Sequence, residues 1–356
     1  MNNKLVRLGL VLVLVSAFCG GTAFAQDTLS IRIDPPSFFT RMGAYFGKVE
    51  AQKEVARAHA IGNGVKKNLA EAVGWWKKAA GKGDTSSAYA VGLCYLYGNQ
   101  DGIAQDYGEA VQWLKKAALA GDAWAAFTLG LMADLGVGLS PAPALAAKWY
   151  LLAAQKRHEQ ASTNLGLLYY YGSGVPQNYE EALKWFRIAG EQPGNGVAWY
   201  HLGIMLAGGQ WATPDYSLAM KWLLMASEKN IPEAYTEIAR FYYVGKGVKT
   251  DLTEAYKWYR RAADLDEVEA QMMLSQMLDG GVGVARNQEE AVLWSRRATA
   301  TKPNEVRYKR GAFEDFLHFV TRTAIAADQQ EAQEKASEER ALNSTDEPEI
   351  QTNLAR

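Results

Sequence analysis

Tryptophan sets the ruler of this chain. Trp75, Trp113, Trp149, Trp185, Trp222, Trp258 and Trp294 follow one another at intervals of 38, 36, 36, 37, 36 and 36 residues. Self-similarity at a fixed period of 20–50 residues points to stacked supersecondary units rather than to a single globular core. The residues around each Trp repeat with it. Three before it stands Ala72, Ala110, Ala146, Ala182, Ala219, Ala255 or Ala291. Four after it stands Ala79, Ala117, Ala153, Ala189, Ala226, Ala262 or Ala298. Two alanines seven residues apart share one face of a helix two turns long, so a neighbouring helix can approach closely there. The spacing predicts that the Trp fills the adjacent space.

The Trp-bearing helix has its own start signal. Asn68, Asp106, Asn178, Asp215, Asp251 and Asn287 lie seven residues before the Trp and are favourable N-caps. Glu71, Glu109, Glu181, Glu254 and Glu290 follow three residues later, as in a capping box. The third copy has Ala142 between Pro141 and Pro143 instead, and Pro143 suits the first helical turn. An earlier helix in each unit carries a small residue after a large one, as in Val91-Gly92, Leu129-Gly130, Leu165-Gly166 and Leu202-Gly203, with looser versions at Val55-Ala56, Ile238-Ala239 and Leu274-Ser275. Six residues on, Gly62, Gly98, Gly136, Gly172, Gly209, Gly245 and Gly281 are placed to end that helix. The extra residues of the longer intervals fall in Asn99 to Gln105 and near Pro193-Gly194-Asn195-Gly196, in the expected turns. The fold class is therefore all-α, a helix-turn-helix array of about seven units over residues 48–300.

The pattern small-x-x-x-Leu-Gly-x-x-Tyr-x-x-Gly-x-Gly-Val, followed by Asn/Asp-x-x-Glu-Ala-x-x-Trp-x-x-x-Ala, resembles the Sel1-like repeat, a relative of the tetratricopeptide repeat. Its clearest copy holds Leu165-Gly166, Tyr169, Gly172-Ser173-Gly174-Val175, Asn178, Glu181-Ala182, Trp185 and Ala189. The resemblance implies a right-handed α-solenoid of antiparallel helix pairs, usually a scaffold for protein partners. Some exported members are cysteine-rich, with a penicillin-binding or β-lactamase activity attributed to them. This chain lacks those cysteines and has no S-x-x-K motif. A cell-wall-directed or β-lactam-binding enzyme is thus the second reading, behind a non-enzymatic scaffold or adaptor.

In tetratricopeptide-like arrays the first helix of each pair lines the concave surface. Carried over, that geometry places positions −3, +1 and +4 from the small residue in a groove. The partner-binding set so obtained is Tyr89, Leu93, Phe127, Leu131, Tyr170, Tyr200, Ile204, Arg240 and Tyr243, with Leu96, Thr163 and Leu167 beside them. Tyr and Arg combine large contact area with a polar tip, the chemistry of a protein or peptide interface. Burial between repeats competes for the same side chains, because no single repeat covers its own face.

The ends read differently. Lys4 and Arg7, the apolar run Leu8 to Phe18, and Ala23-Phe24-Ala25 compose a signal peptide over residues 1–25, with a mature start at Gln26. Cleavage there is expected over lipidation at Cys19, since Phe18 stands where a small residue is needed. The apolar run is too short to span a bilayer, so a periplasmic or secreted chain without an integral membrane segment is expected. Residues 26–47 read as an N-terminal arm or cap. Residues 301–342 read as a capping helix with Phe313, Phe316, Leu317, Val320 and Ala324 on one stripe, and residues 343–356 as a disordered tail.

Charge narrows the partner. Lys+Arg is 38 against Asp+Glu 39, without the basic surplus of a nucleic-acid binder. After signal cleavage one cysteine, Cys94, is left, and it cannot close an intramolecular disulfide. His59, His158, His201 and His318 show no metal-ligand spacing, and no catalytic or phosphate-binding motif occurs, so no cofactor, metal or catalytic residue is assigned.

Overall fold

The computed structural model describes residues 36–98, 102–138, 140–191, 194–209 and 213–300. The signal peptide, the start of the arm, the C-terminal capping helix and the tail read from the sequence lie outside the described residues. Among those described there are fifteen α-helices and no sheet. They are α1 (Phe38–Tyr45), α2 (Val49–Ile61), α3 (Leu69–Gly81), α4 (Thr85–Tyr97), α5 (Tyr107–Leu119), α6 (Ala123–Leu135), α7 (Pro143–Ala154) and α8 (Glu159–Tyr171), followed by α9 (Tyr179–Gly190), α10 (Gly196–Gly208), α11 (Tyr216–Ser227), α12 (Pro232–Val244), α13 (Leu252–Asp264), α14 (Val268–Gly280) and α15 (Gln288–Ala300). From α2 onward they alternate as first and second helices of successive pairs. The chain divides into two compact units between Lys116 and Ala117.

The caps read from the sequence are made. Asn68, Asp106, Asn178, Asp215, Asp251 and Asn287 each accept from a backbone N–H three residues on, at 2.9–3.1 Å. Pro143 opens α7 with no side-chain cap. The capping box itself is not closed. In all seven pairs the N-cap backbone N–H donates instead to a carbonyl near the end of the first helix, from Asn68 to His59 through Asn287 to Leu278, at 2.7–3.0 Å. That bond locks the turn, and it frees the glutamates. Glu109, Glu181 and Glu290 accept from the indole Nε1–H of Trp113, Trp185 and Trp294 one turn later, at 3.0, 3.1 and 3.3 Å.

The Trp also departs from expectation. It lies on the flank of the second helix, often under a cation: Lys78 Nζ is 3.7 Å from the Trp75 ring and the Arg261 guanidinium 4.7 Å from Trp258. In the copies with glycine on the first helix, the residue after the Trp fills the notch. Within the second unit, a Cβ on Gly130 would meet the Tyr150 ring at 2.5 Å, one on Gly166 the Phe186 ring at 2.8 Å, and one on Gly203 the Leu223 side chain at 2.6 Å. In the first unit Gly92 and Leu114 make the same pair at 2.8 Å. Tyr150, Phe186, Leu223 and Leu114 are fully buried. Glycine on the first helix thus sets the helix–helix distance, and the large side chain opposite supplies the burial.

First helices are capped by residues the repeat pattern did not single out. Asp84, Asp122 and Asn195 accept from the amides of Ser87, Ala125 and Ala198 at 2.7, 2.8 and 3.0 Å. In α8 the cap is a histidine: His158 Nδ1 accepts from the Ala161 amide at 3.3 Å. Cys94 is buried in the core of the first unit with Val91, Trp76 and Ala72.

Candidate interaction face

The predicted groove residues separate by exposure. Leu93, Leu96, Phe127, Leu131 and Thr163 are buried. The reason is clearest in α6, where Ala125 through Ala133 are all buried, so no side of that stretch is open. Phe127 stacks on His158 at 4.5 Å and tilts against Tyr150 at 5.9 Å. Placing these leucines and Phe127 on an accessible surface is thus corrected: they build the wall behind it. Tyr89, Leu167, Tyr170, Tyr200, Ile204, Arg240 and Tyr243 are half-buried.

Tyr89 lies in the first unit. Within the second unit, α8, α10 and α12 bring Tyr170, Tyr200, Glu237 and Arg240 within range of one another, with Leu167 and Ile204 packed beside the tyrosines, while Tyr243 packs on the core that holds Tyr259 and Leu274. Tyr170 meets Tyr171 edge-on at 4.9 Å and Tyr179 at 5.5 Å. Gln177 Nε2 donates to the Tyr170 carbonyl at 2.8 Å and to the Tyr179 hydroxyl at 3.1 Å, which fixes the end of α8. His201 forms the floor, stacked on Phe186 at 4.8 Å with an interplanar angle of 7°, and Tyr170 and Tyr200 stand edge-on to it at 5.4 and 5.1 Å. Ile204 packs with Trp199, Leu223 and Phe241.

Carboxylates from α12 complete the face. Burial pushes the Tyr200 phenol well above the ordinary tyrosine range, and Glu237 and Glu233 push it the same way. Tyr170 is raised by burial, with Tyr171, Tyr179 and Glu237 adding to it, and Tyr171 by burial and Glu233. Side chains of α8 and α12, two repeats apart, are therefore within electrostatic range across α10. Arg240 binds Glu237 in bidentate fashion at 2.9 and 3.1 Å and also pairs with Glu269. Burial raises the Glu237 carboxyl, Arg240 opposes that, and Glu269 and Glu267 reinforce it. Tyr259, behind Arg240, is pushed up to about 12 by burial.

The repeat positions missed Tyr171, Glu233, Glu237 and Glu269. Tyr171 is 64% exposed and the most open aromatic of the group. Glu237 and Arg240 are three residues apart on one helix, and that spacing was the available signal. Among the described residues no group of three potential ligands is placed to hold a metal ion, and no helix is long and apolar enough to cross a membrane.

These features define a helix-pair repeat protein with an aromatic and acidic face on its first helices. The Sel1 repeat matches seven consecutive segments, residues 49–84, 85–122, 125–158, 160–193, 197–231, 232–267 and 268–300, and the chain belongs to the Sel1 repeat family. A Sel1 repeat protein from Oxalobacter formigenes has a crystal structure 32% identical to it, with a TM-score of 0.56, covering 73% of this chain and 75% of that one. The crystal structure of c5321, a protective antigen present in uropathogenic Escherichia coli strains and displaying an SLR fold, is 24% identical, with a TM-score of 0.60, covering 89% of this chain and 83% of the antigen. A search of curated proteins finds no match. The fold is the Sel1 solenoid, commonly a protein-interaction scaffold.

Proposed function

We propose that this chain is an exported, non-enzymatic scaffold or adaptor that binds a peptide or protein partner within a cell-envelope assembly. The partner lies on the face made by α8, α10 and α12. The observation that carries the reading is the convergence of Tyr170, Tyr171 and Tyr200 with Glu233 and Glu237 across three repeats. Half-buried tyrosines held at fixed angles lose little entropy on binding and give hot-spot contact area. The His201 floor and the Glu237–Arg240 pair hold that surface in place before a partner arrives. The sequence supports export through the signal peptide ending at Ala25.

The test replaces open positions and spares the buried floor. Tyr171→Ala combined with Tyr243→Ala is expected to weaken capture of the cell-envelope partner by about 30-fold, the loss of one hot spot or more, with the melting curve unchanged. Undiminished capture by the folded variant would contradict the assignment. Fractionation and N-terminal sequencing test the exported part: the mature chain is expected to begin at Gln26 outside the cytoplasm.

A further inference from the structure

The first described helix carries an aromatic stripe that no described residue covers. Phe38, Phe39, Met42, Tyr45 and Phe46 are 70%, 83%, 42%, 81% and 75% exposed. Their spacing, i, i+1, i+4, i+7 and i+8, puts all five on one face of α1 and its C-cap. The opposite face is anchored: Ala44 is buried, and the Arg41 guanidinium donates to the Pro36 carbonyl at 3.2 Å and to the Gly64 carbonyl at 3.4 Å. The stripe offers water roughly 600 Å² of apolar surface, at or beyond the largest patch of an ordinary soluble monomer.

The surroundings are basic. Residues 36–84 hold nine bases and four acids, a net charge of +5, although the whole chain is at −1. Two of those acids, Glu50 and Asp84, are engaged by Lys53 at 3.2 and 3.6 Å. Lys82 Nζ donates to the Gly47 carbonyl at 2.6 Å, directly after α1, and Lys48 is the next residue. Arg41, Lys48, Lys66 and Lys82 are all exposed.

Aromatic side chains on one face with cations at the edge match an anionic bilayer interface, where rings enter the acyl boundary and ammonium groups stay among the headgroups. We propose that α1 docks this chain on an anionic lipid surface. The helix lies in the interface and does not span the bilayer. It uses none of the residues of the α8–α12 face.

The mature full-length chain is mixed with vesicles of phosphatidylcholine alone and of phosphatidylcholine with about 30 mol % phosphatidylglycerol, and bound protein is measured by co-sedimentation. Binding to the anionic vesicles, release by high salt, and at least a tenfold loss for Phe38→Ser/Phe39→Ser/Tyr45→Ser/Phe46→Ser are expected. These four positions are exposed, so the helical signal and melting curve of the variant should match the parent. Lys48→Glu/Lys66→Glu should weaken binding to anionic vesicles alone. Absence of binding, or binding unchanged in the serine variant, overturns the proposal. Equal binding to neutral vesicles overturns its electrostatic part. A parent that ignores vesicles but self-associates, with the serine variant monomeric, assigns the stripe to a second copy instead and likewise overturns it.

Discussion

Lowering the pH from 8 to 5 is expected to destabilise this protein by several kcal/mol, through two buried histidines. His158 is 7% exposed, between Trp124 at 4.1 Å and Phe127 at 4.5 Å, and burial pushes it down to about 3. His201 is 1% exposed, on Phe186 and beside Tyr170, Tyr171 and Tyr200, and burial pushes it down to about 3 as well. In the unfolded chain both titrate near 6.5. A depressed folded value means that the unfolded state takes up the proton first, so stability is complete above pH 6.5 and falls as the pH drops toward 3. At pH 5 the loss is about 2 kcal/mol per histidine, against a typical total of 5–15. For His158 the structural cause is specific: protonation of Nδ1 removes the acceptor that caps α8. Glu159, Glu237 and Glu267, all raised chiefly by burial, act in the opposite sense from their ordinary value upward, so the histidines are isolated between pH 7 and 5 by comparison with a variant that keeps all three carboxylates. Urea midpoints across that window should fall steeply for the parent. They should flatten for His158→Asn/His201→Phe, in which asparagine can still cap, as Asn195 does on α10. A flat parent curve, or an equal slope in the double variant, would refute the assignment.

Gly130→Ala is the second large effect, and its sign should depend on the partner. In a helix interior alanine is favoured over glycine by about 1 kcal/mol. Here the new Cβ would lie 2.5 Å from Cδ1 and Cε1 of Tyr150, whose ring is fully buried against Phe127. Neither ring has room to retreat, so a net loss of about 1–3 kcal/mol is expected from overpacking. Tyr150→Ala alone should lose about 3–5 kcal/mol by leaving a cavity. In that background Gly130→Ala should turn neutral or stabilising, because the clash is gone and the propensity gain is left. A double-mutant cycle by equilibrium unfolding reads this coupling directly. Additive losses would mean that the glycine serves the backbone and not the notch.

Much of the fold was legible because it is local. A cap accepts from an amide three residues on, and a terminating glycine acts within its own turn, so Asn68 or Gly172 can be read without knowing what they pack on. The glutamates were legible as helix-start residues but not in their partner. The N-cap amides are taken by carbonyls of the preceding helix, a fact of tertiary structure, and Glu109, Glu181 and Glu290 turn to the indoles. The notch was half legible: small residues were seen on both helices, but the Trp was credited with the space that Tyr150 and Phe186 occupy. The small-residue ruler gave the helix phase that leaves Tyr170, Tyr200, Arg240 and Tyr243 half-exposed. It failed at Phe127 and Leu131 because α6 is apolar on every side and phase carries no information there. Glu233 and Glu237 join the face only through their electrostatic reach to Tyr170, Tyr171 and Tyr200, and no single-repeat pattern encodes the approach of residues two repeats apart.

Site-directed photo-crosslinking in the producing cell tests the central functional claim most directly. A benzophenone side chain at Tyr171, the last residue of α8, is compared with one at Leu224, an exposed position on the second helix α11. One defined envelope protein should be captured from position 171 and not from 224, and the adduct should disappear when Tyr243 and Glu233 are both replaced by alanine. Equal capture from both positions, or capture from 224 alone, would contradict binding on the first-helix side.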